Sequence, residues 1–167
     1  MRLLSLAITS SFLTIFFTIN FGFKKCFLYI CGMKDIVYHI EDFKKNQYHY
    51  FNAINDKGEI ICKIGVDVSG DDYYRFAGIC NGKKIGKIIY VISNLSICGN
   101  GVATTLLNKV IETLKDYNLY LNVIPMPREG EAINHRTVHG LREFYKKFGF
   151  ETIVGTSIPT MFRKNKN

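Results

Sequence analysis

The chain has no C-x-x-C pair, and its five cysteines, Cys26, Cys31, Cys62, Cys80 and Cys98, are odd in number. Such spacing signals neither a disulfide framework nor a cysteine-based zinc site, so buried or free thiols in a reducing compartment are expected, with no metal. A phosphate-binding loop of the Walker type is also missing, because no glycine turn is followed by Gly-Lys-Ser/Thr, and no dinucleotide fingerprint opens an early βαβ unit. Internal repeats and low-complexity linkers are absent, which leaves one domain's worth of chain in 167 residues. Basic residues give a formal charge of +8, yet they are scattered through Lys24-Lys25, Lys44-Lys45, Lys83-Lys84, Lys146-Lys147 and the tail from Arg163. No basic run interleaved with aromatics appears, so no nucleic-acid partner is expected.

Apolar residues make up 47% of the chain and aromatics 14%, enough for a packed core. At the amino terminus, Leu3 to Phe23 carries no charge and lies between Arg2 and Lys24-Lys25. Its length suits a bilayer-spanning helix, although Thr9, Ser10, Ser11, Thr14, Thr18 and Asn20 weaken it. Three readings stand side by side: a membrane anchor, a signal peptide, or upstream sequence ahead of a start at Met33. Residues 1–32 are thus set apart as a hydrophobic segment and 33–167 as the functional domain, expected in the cytoplasm.

Beyond Met33 the pattern predicts strands first. Ile36 to Ile40 opens, Tyr48 to Asn55 is aromatic and β-prone, and a turn at Asn55-Asp56-Lys57-Gly58 leads to a partner over Glu59 to Val68. Tyr73 to Cys80 reads as a further strand, and Asn81-Gly82-Lys83-Lys84 as a second hairpin turn before Ile85 to Ser93. Helical spacing of Val102, Leu106, Leu107, Val110, Ile111 and Leu114 comes next, then a buried strand over Leu119 to Ile124. A second helix over Arg136 to Phe148, capped near Asn134 or Thr137 and stopped by Gly149, precedes two closing strands, Phe150 to Val154 and Pro159 to Phe162. The order is that of an α+β fold with a mixed, mostly antiparallel sheet flanked by helices.

Between a strand and a helix sits Cys98-Gly99-Asn100-Gly101-Val102-Ala103. Glycine lets backbone approach an anion, and the first N–H groups of a helix lack internal partners, so the turn is suited to a pyrophosphate. Downstream comes Phe144-Tyr145-Lys146-Lys147-Phe148-Gly149-Phe150, a helix end closed by glycine. Together these two stretches resemble the GNAT family of N-acetyltransferases, in which a Q/R-x-x-G-x-G/A turn precedes a helix and a later helix ends in F/L-Y-x-K-x-G-F. The resemblance covers about Gly86 to Phe150. It implies acetyl-coenzyme A as cosubstrate, held by Val91, Ile92 and Ser93 of the strand and by Cys98, Gly99, Asn100, Gly101, Val102, Ala103 and Thr104 of the turn and helix. It further implies direct attack of an amine, on a small molecule or peptide, within a ternary complex, with Tyr145 as general acid. Cys98 stands where the family has Gln or Arg, and Val138 where an Asn often lines the cofactor. Few residues separate Ile40 from Tyr48, too few for the helix pair that usually roofs the acceptor site, so the loop Pro125 to Asn134 is the expected acceptor wall. His39, Glu59, Asp67, His135 and His139 are base candidates by residue type alone. The alternative is a catalytically silent coenzyme A-binding or regulatory module of the same fold.

Overall fold

The computed structural model describes residues 17–21, 24–31, 36–94, 99–125 and 137–165. Most of the apolar stretch from Leu3 to Phe23, the position of Cys98, and most of the loop from Pro125 to Asn134 lie outside the described residues, as does His135. The strands are β1 (Phe17–Phe21), β2 (Lys24–Cys31), β3 (Ile36–Lys45), β4 (Tyr48–Asn55), β5 (Ile60–Asp67), β6 (Lys84–Ser93), β7 (Tyr117–Asn122), β8 (Glu151–Ile153) and β9 (Thr160–Arg163). The helices are α1 (Ala77–Cys80), α2 (Val102–Thr113) and α3 (Val138–Lys146). The fold divides into two compact units, Met1–Gly65 with Tyr90–Glu112, and Val66–Ile89 with Thr113–Asn167.

In the first unit the strand order is β1-β2-β3-β4-β5, and the pairs β1–β2, β2–β3 and β3–β4 are antiparallel. Only Asn46 and Gln47 join β3 to β4, with Asn46 at φ 55°, a left-handed conformation that asparagine tolerates better than other non-glycine residues. No helix can fit in that connection, as the short spacing in the sequence requires. The next turn is organised by the Asn55 side chain, whose Oδ1 accepts from the backbone N–H groups of Lys57 at 3.1 Å and Glu59 at 2.8 Å. Alternate strand residues Phe51, Ala53, Cys62 and Ile64 bury fully, together with Val102, Leu106, Leu107 and Val110 from one face of α2. That helical face matches the periodicity in the sequence.

In the second unit the order is β6-β7-β9-β8, with β6 and β7 parallel and the pairs β7–β9 and β8–β9 antiparallel. Thr137 caps α3, its hydroxyl accepting from Gly140 N at 3.1 Å, and Gly149 terminates the helix region at φ +80°.

Three expectations are corrected. Tyr73 to Cys80 is not a strand but a 3-10 turn (Tyr73–Phe76) running into α1. Its apolar residues recur at helical spacing: Phe76 and Cys80 are buried and Tyr73 and Ile79 partly so, all against Ile85, Tyr120 and Phe162. Asn81-Gly82 accordingly closes a helix rather than a hairpin, both residues adopting positive φ, with Lys83 N donating to Cys80 O at 3.0 Å. At the amino-terminal end, Phe17–Phe21 is a strand paired with Lys24 to Leu28, in keeping with its β-branched and aromatic residues. Among the described residues no helix is long and apolar enough to cross a membrane.

Asn118 ties the second unit together. It is buried, its Nδ2 donates to Cys80 O at 3.0 Å, and its Oδ1 accepts from Asn165 N at 2.8 Å. Replacing it strands two backbone groups, and Asn118→Ala is expected to lower unfolding free energy by about 2 kcal/mol, read from urea denaturation.

Candidate functional site

β6 is the strand on which the candidate site depends. It pairs with β7 in register from Lys84↔Tyr117 to Ile88↔Leu121, then runs on through Ile89 to Ser93. Along its other edge it keeps to β5 until its end, where Asn94 N donates to Ile61 O at 2.8 Å. The stretch from Ile89 to Ser93 therefore carries backbone N–H and C=O groups on an edge that the β6–β7 register does not use. Such groups demand partners, and an extended ligand can supply them. Val91 and Ser93 are half-buried there and Ile92 is exposed.

The chain next enters the glycine turn. Gly99 and Gly101 take φ of +89° and +76°, conformations that L side chains rarely adopt, and a Cβ on Gly99 would meet no atom within 4 Å. Gly101 O accepts from Thr105 N at 2.9 Å and from Thr105 Oγ1 at 3.3 Å, so α2 starts on the turn itself. The N–H groups of Val102, Ala103 and Thr104 occupy the first helical turn, where no intrahelical acceptor exists. The open backbone, the left-handed glycines and the helix end fit a pyrophosphate. Val91, Ile92, Ser93, Gly99, Asn100, Gly101, Val102, Ala103 and Thr104 thus all fall in the first unit.

Tyr145 lies in the second unit, in the last turn of α3, and is 8% exposed. Its ring meets Phe144 at 5.2 Å and Phe150 at 6.0 Å, both edge to face, and its carbonyl accepts from Phe148 N at 3.0 Å. Arg163 Nε donates to Phe148 O at 2.9 Å, holding the segment after the helix to β9.

The base candidates scatter. Glu59 accepts from Asn55 Nδ2 at 2.9 Å in an exposed hairpin, His39 sits 3.7 Å from Glu41, and His139 is exposed on α3. Asp67 is different, because it lines a small, open surface concavity in the second unit with Asp71, Asp72, Ile85, Lys87 and Tyr120.

In that concavity Tyr120 donates its hydroxyl hydrogen bond to Asp72 Oδ2, and Lys87 Nζ lies 3.8 Å from the same oxygen and 5.8 Å from the Tyr120 ring centroid. Burial pushes the Tyr120 hydroxyl far above its ordinary pKa, and the hydrogen bond and charge of Asp72 push it further. The sequence carries no sign of this cluster, since Asp72 and Tyr120 are 48 residues apart. Among the described residues no group of His, Cys, Asp or Glu could hold a metal.

No protein-family model and no curated protein sequence matches the chain. Solved structures do match it. They include an acetyltransferase of the GNAT family from Staphylococcus aureus Mu50, at 16% identity and TM-score 0.50, covering 72% of this chain and 70% of that one. A histone acetyltransferase HPA2 and related acetyltransferase from Corynebacterium glutamicum matches at 19% identity and TM-score 0.51, covering 72% and 66%. AtaTR bound with acetyl-coenzyme A matches at 14% identity and TM-score 0.51, covering 72% and 69%.

The chain has the GNAT fold.

It spans about two thirds of the length of these structures. In this fold β6 and β7 pair in parallel, and the glycine turn opens α2. The 3-10 turn and α1 between β5 and β6 are elements that the sequence pattern does not announce.

The buried Tyr120 hydroxyl gives a pH signature. A tyrosine whose folded pKa lies above its unfolded value of about 10 keeps its proton longer in the native state, so its contribution is complete below pH about 10 and is lost as pH rises above it. Between pH 9 and 11 the unfolding free energy is expected to fall more steeply for the natural protein than for Tyr120→Phe. Paired denaturant titrations at the two pH values measure the difference.

Proposed function

We propose that the chain transfers an acetyl group from acetyl-coenzyme A to an amine by direct attack within a ternary complex. The observation that carries this reading is the strand β6, which continues past its pairing with β7 and leads to a left-handed glycine turn at a helix start. Acetyl-coenzyme A brings a thioester, a pantetheine chain with amide groups, and a pyrophosphate. The backbone of Val91, Ile92 and Ser93 would bond the pantetheine as an added strand does, and would polarise the thioester carbonyl through an N–H donor. Gly99, Asn100, Gly101 and the N–H groups of Val102, Ala103 and Thr104 would take the pyrophosphate, with the positive end of the α2 dipole. Cys98 would add little, so backbone carries the anion.

In the transfer, the amine nitrogen bonds to the carbonyl carbon and gives up one proton to water, the carbon–sulfur bond breaks, and the departing sulfur takes a proton. Tyr145 is the residue we assign to that proton, a role its family signature supports. The acceptor amine belongs to a small molecule or a peptide.

Acetyl-coenzyme A at millimolar concentration is expected to raise the melting temperature of the full chain, and an amine panel to release free thiol. Tyr145→Phe should slow thiol release about a hundredfold while leaving the cofactor-induced shift unchanged. A shift with no thiol release from any amine would instead favour the silent coenzyme A-binding module. Absence of any shift overturns both.

A further inference from the structure

The first unit exposes an aromatic face that the acetyl-transfer reading leaves unused. Antiparallel pairing sets Phe43 opposite Tyr50 and Lys45 opposite Tyr48, so these four side chains share one side of the β3–β4 hairpin, while Phe51 and Ala53 alternate to the other side and bury. The Phe43 and Tyr50 rings stack at 5.2 Å, and Tyr48 and Tyr50 lie 6.2 Å apart. Tyr90 of β6 joins the same side, near enough to Tyr50 for the two hydroxyls to interact. Its ring sits over β5 at Gly65, so close that a Cβ there would stand 2.7 Å from the ring, and Lys63 Nζ sits 5.9 Å from its centroid. Glycine at 65 therefore makes room for the ring. The tight Asn46-Gln47 turn places no helix over this side, and Phe43 remains 47% exposed.

We propose that this face, built from Phe43, Tyr48, Tyr50 and Tyr90 with Lys45 and Lys63, binds a single strand of nucleic acid, bases on the rings and phosphates on the lysines. Aromatic side chains held on a rigid sheet accept the π-face of any base, and lysines beside them meet the phosphates without reading sequence. Because the rings already pack on one another and on Gly65, little side-chain freedom is lost when a base docks. Lys45 and Lys63 flank the rings, and Glu41, two residues before Phe43 on the same side, is held by His39. A lipid surface is the poorer fit, since the rings are mostly tyrosines and Asn52 and the His39–Glu41 pair border them. The scattered basic residues in the sequence concealed the arrangement because Lys45 and Lys63 reach the aromatic side only through the sheet.

Such binding lies beyond acetyl transfer and is independent of it. Titrating the full chain into a fluorescein-labelled oligouridine of about 12 nucleotides should raise its anisotropy, with affinity falling about sevenfold between about 50 and about 200 mM salt if two phosphates are neutralised. Tyr50→Ala and Lys63→Glu should each weaken binding about five- to tenfold, and Tyr50→Phe should restore it to within about twofold. Circular dichroism of each variant verifies folding. Lys63→Glu, at an exposed position, tests the face even where Tyr50→Ala fails to fold. Saturating acetyl-coenzyme A should leave the oligonucleotide bound. The proposal is overturned by no anisotropy change up to about 100 µM protein, by binding that Lys63→Glu and Tyr50→Ala leave intact, by displacement with acetyl-coenzyme A, by equal affinity for a duplex, or by binding of anionic phospholipid vesicles in place of the oligonucleotide. Loss of the acetyl-coenzyme A thermal shift alone bears only on the transfer reading.

Discussion

A strand cannot leave its backbone polar groups unsatisfied without cost, and β6 meets this constraint in two different ways along its length. From Lys84 to Ile88 its groups are matched by the parallel strand β7. From Ile89 onward that register has ended, while β5 still holds the opposite edge as far as Asn94. The strand end leads to two glycines at positive φ, and these start a helix whose first N–H groups point back along its axis. On the proposed reading, an extended amide chain ending in a pyrophosphate would match such a run of donors and acceptors, and the glycine turn would gain its meaning from the strand before it.

The segment between β5 and β6 shows how a short sequence can be misread when burial comes from only one side. Aromatic residues and a following Asn-Gly pair lend Tyr73 to Lys84 the look of a strand and hairpin. Tyr73, Phe76 and Ile79 recur every three residues and pack with Cys80 against Tyr120 and Phe162, a spacing that a helical path puts on one side and a strand does not. The ring of Phe76 lies 4.6 Å from Tyr120 and 5.5 Å from Phe162. Packing against distant strands outweighed local propensity. The same segment brings Asp72 to the Tyr120 hydroxyl, creating the concavity with Lys87 that has no counterpart in sequence spacing.

The open side of the β3–β4 hairpin has the opposite origin. There the local sequence was explicit: too few residues lie between Ile40 and Tyr48 for helices, and the turn is indeed only Asn46 and Gln47. Its consequence was not legible, because Phe43, Tyr48, Tyr50, Lys63 and Tyr90 become neighbours only when β3, β4, β5 and β6 are laid side by side. A glycine at position 65 looks incidental in the sequence. In the fold it is the space that Tyr90 fills.

Periodicity and turn chemistry by themselves determined the hairpin at Asn55 to Glu59, the apolar stripe of α2, the Thr137 cap and Gly149 stop of α3, and the glycine turn, because each depends on residues within a few positions of one another. Tertiary structure alone decided the strand register that ends at Ile88, the helical path from Ala77 to Cys80, the Asp72–Tyr120 contact and the aromatic face around Gly65. Those features require pairing and burial between segments far apart in the chain, and such contacts are set by which surfaces exclude water together rather than by any local preference.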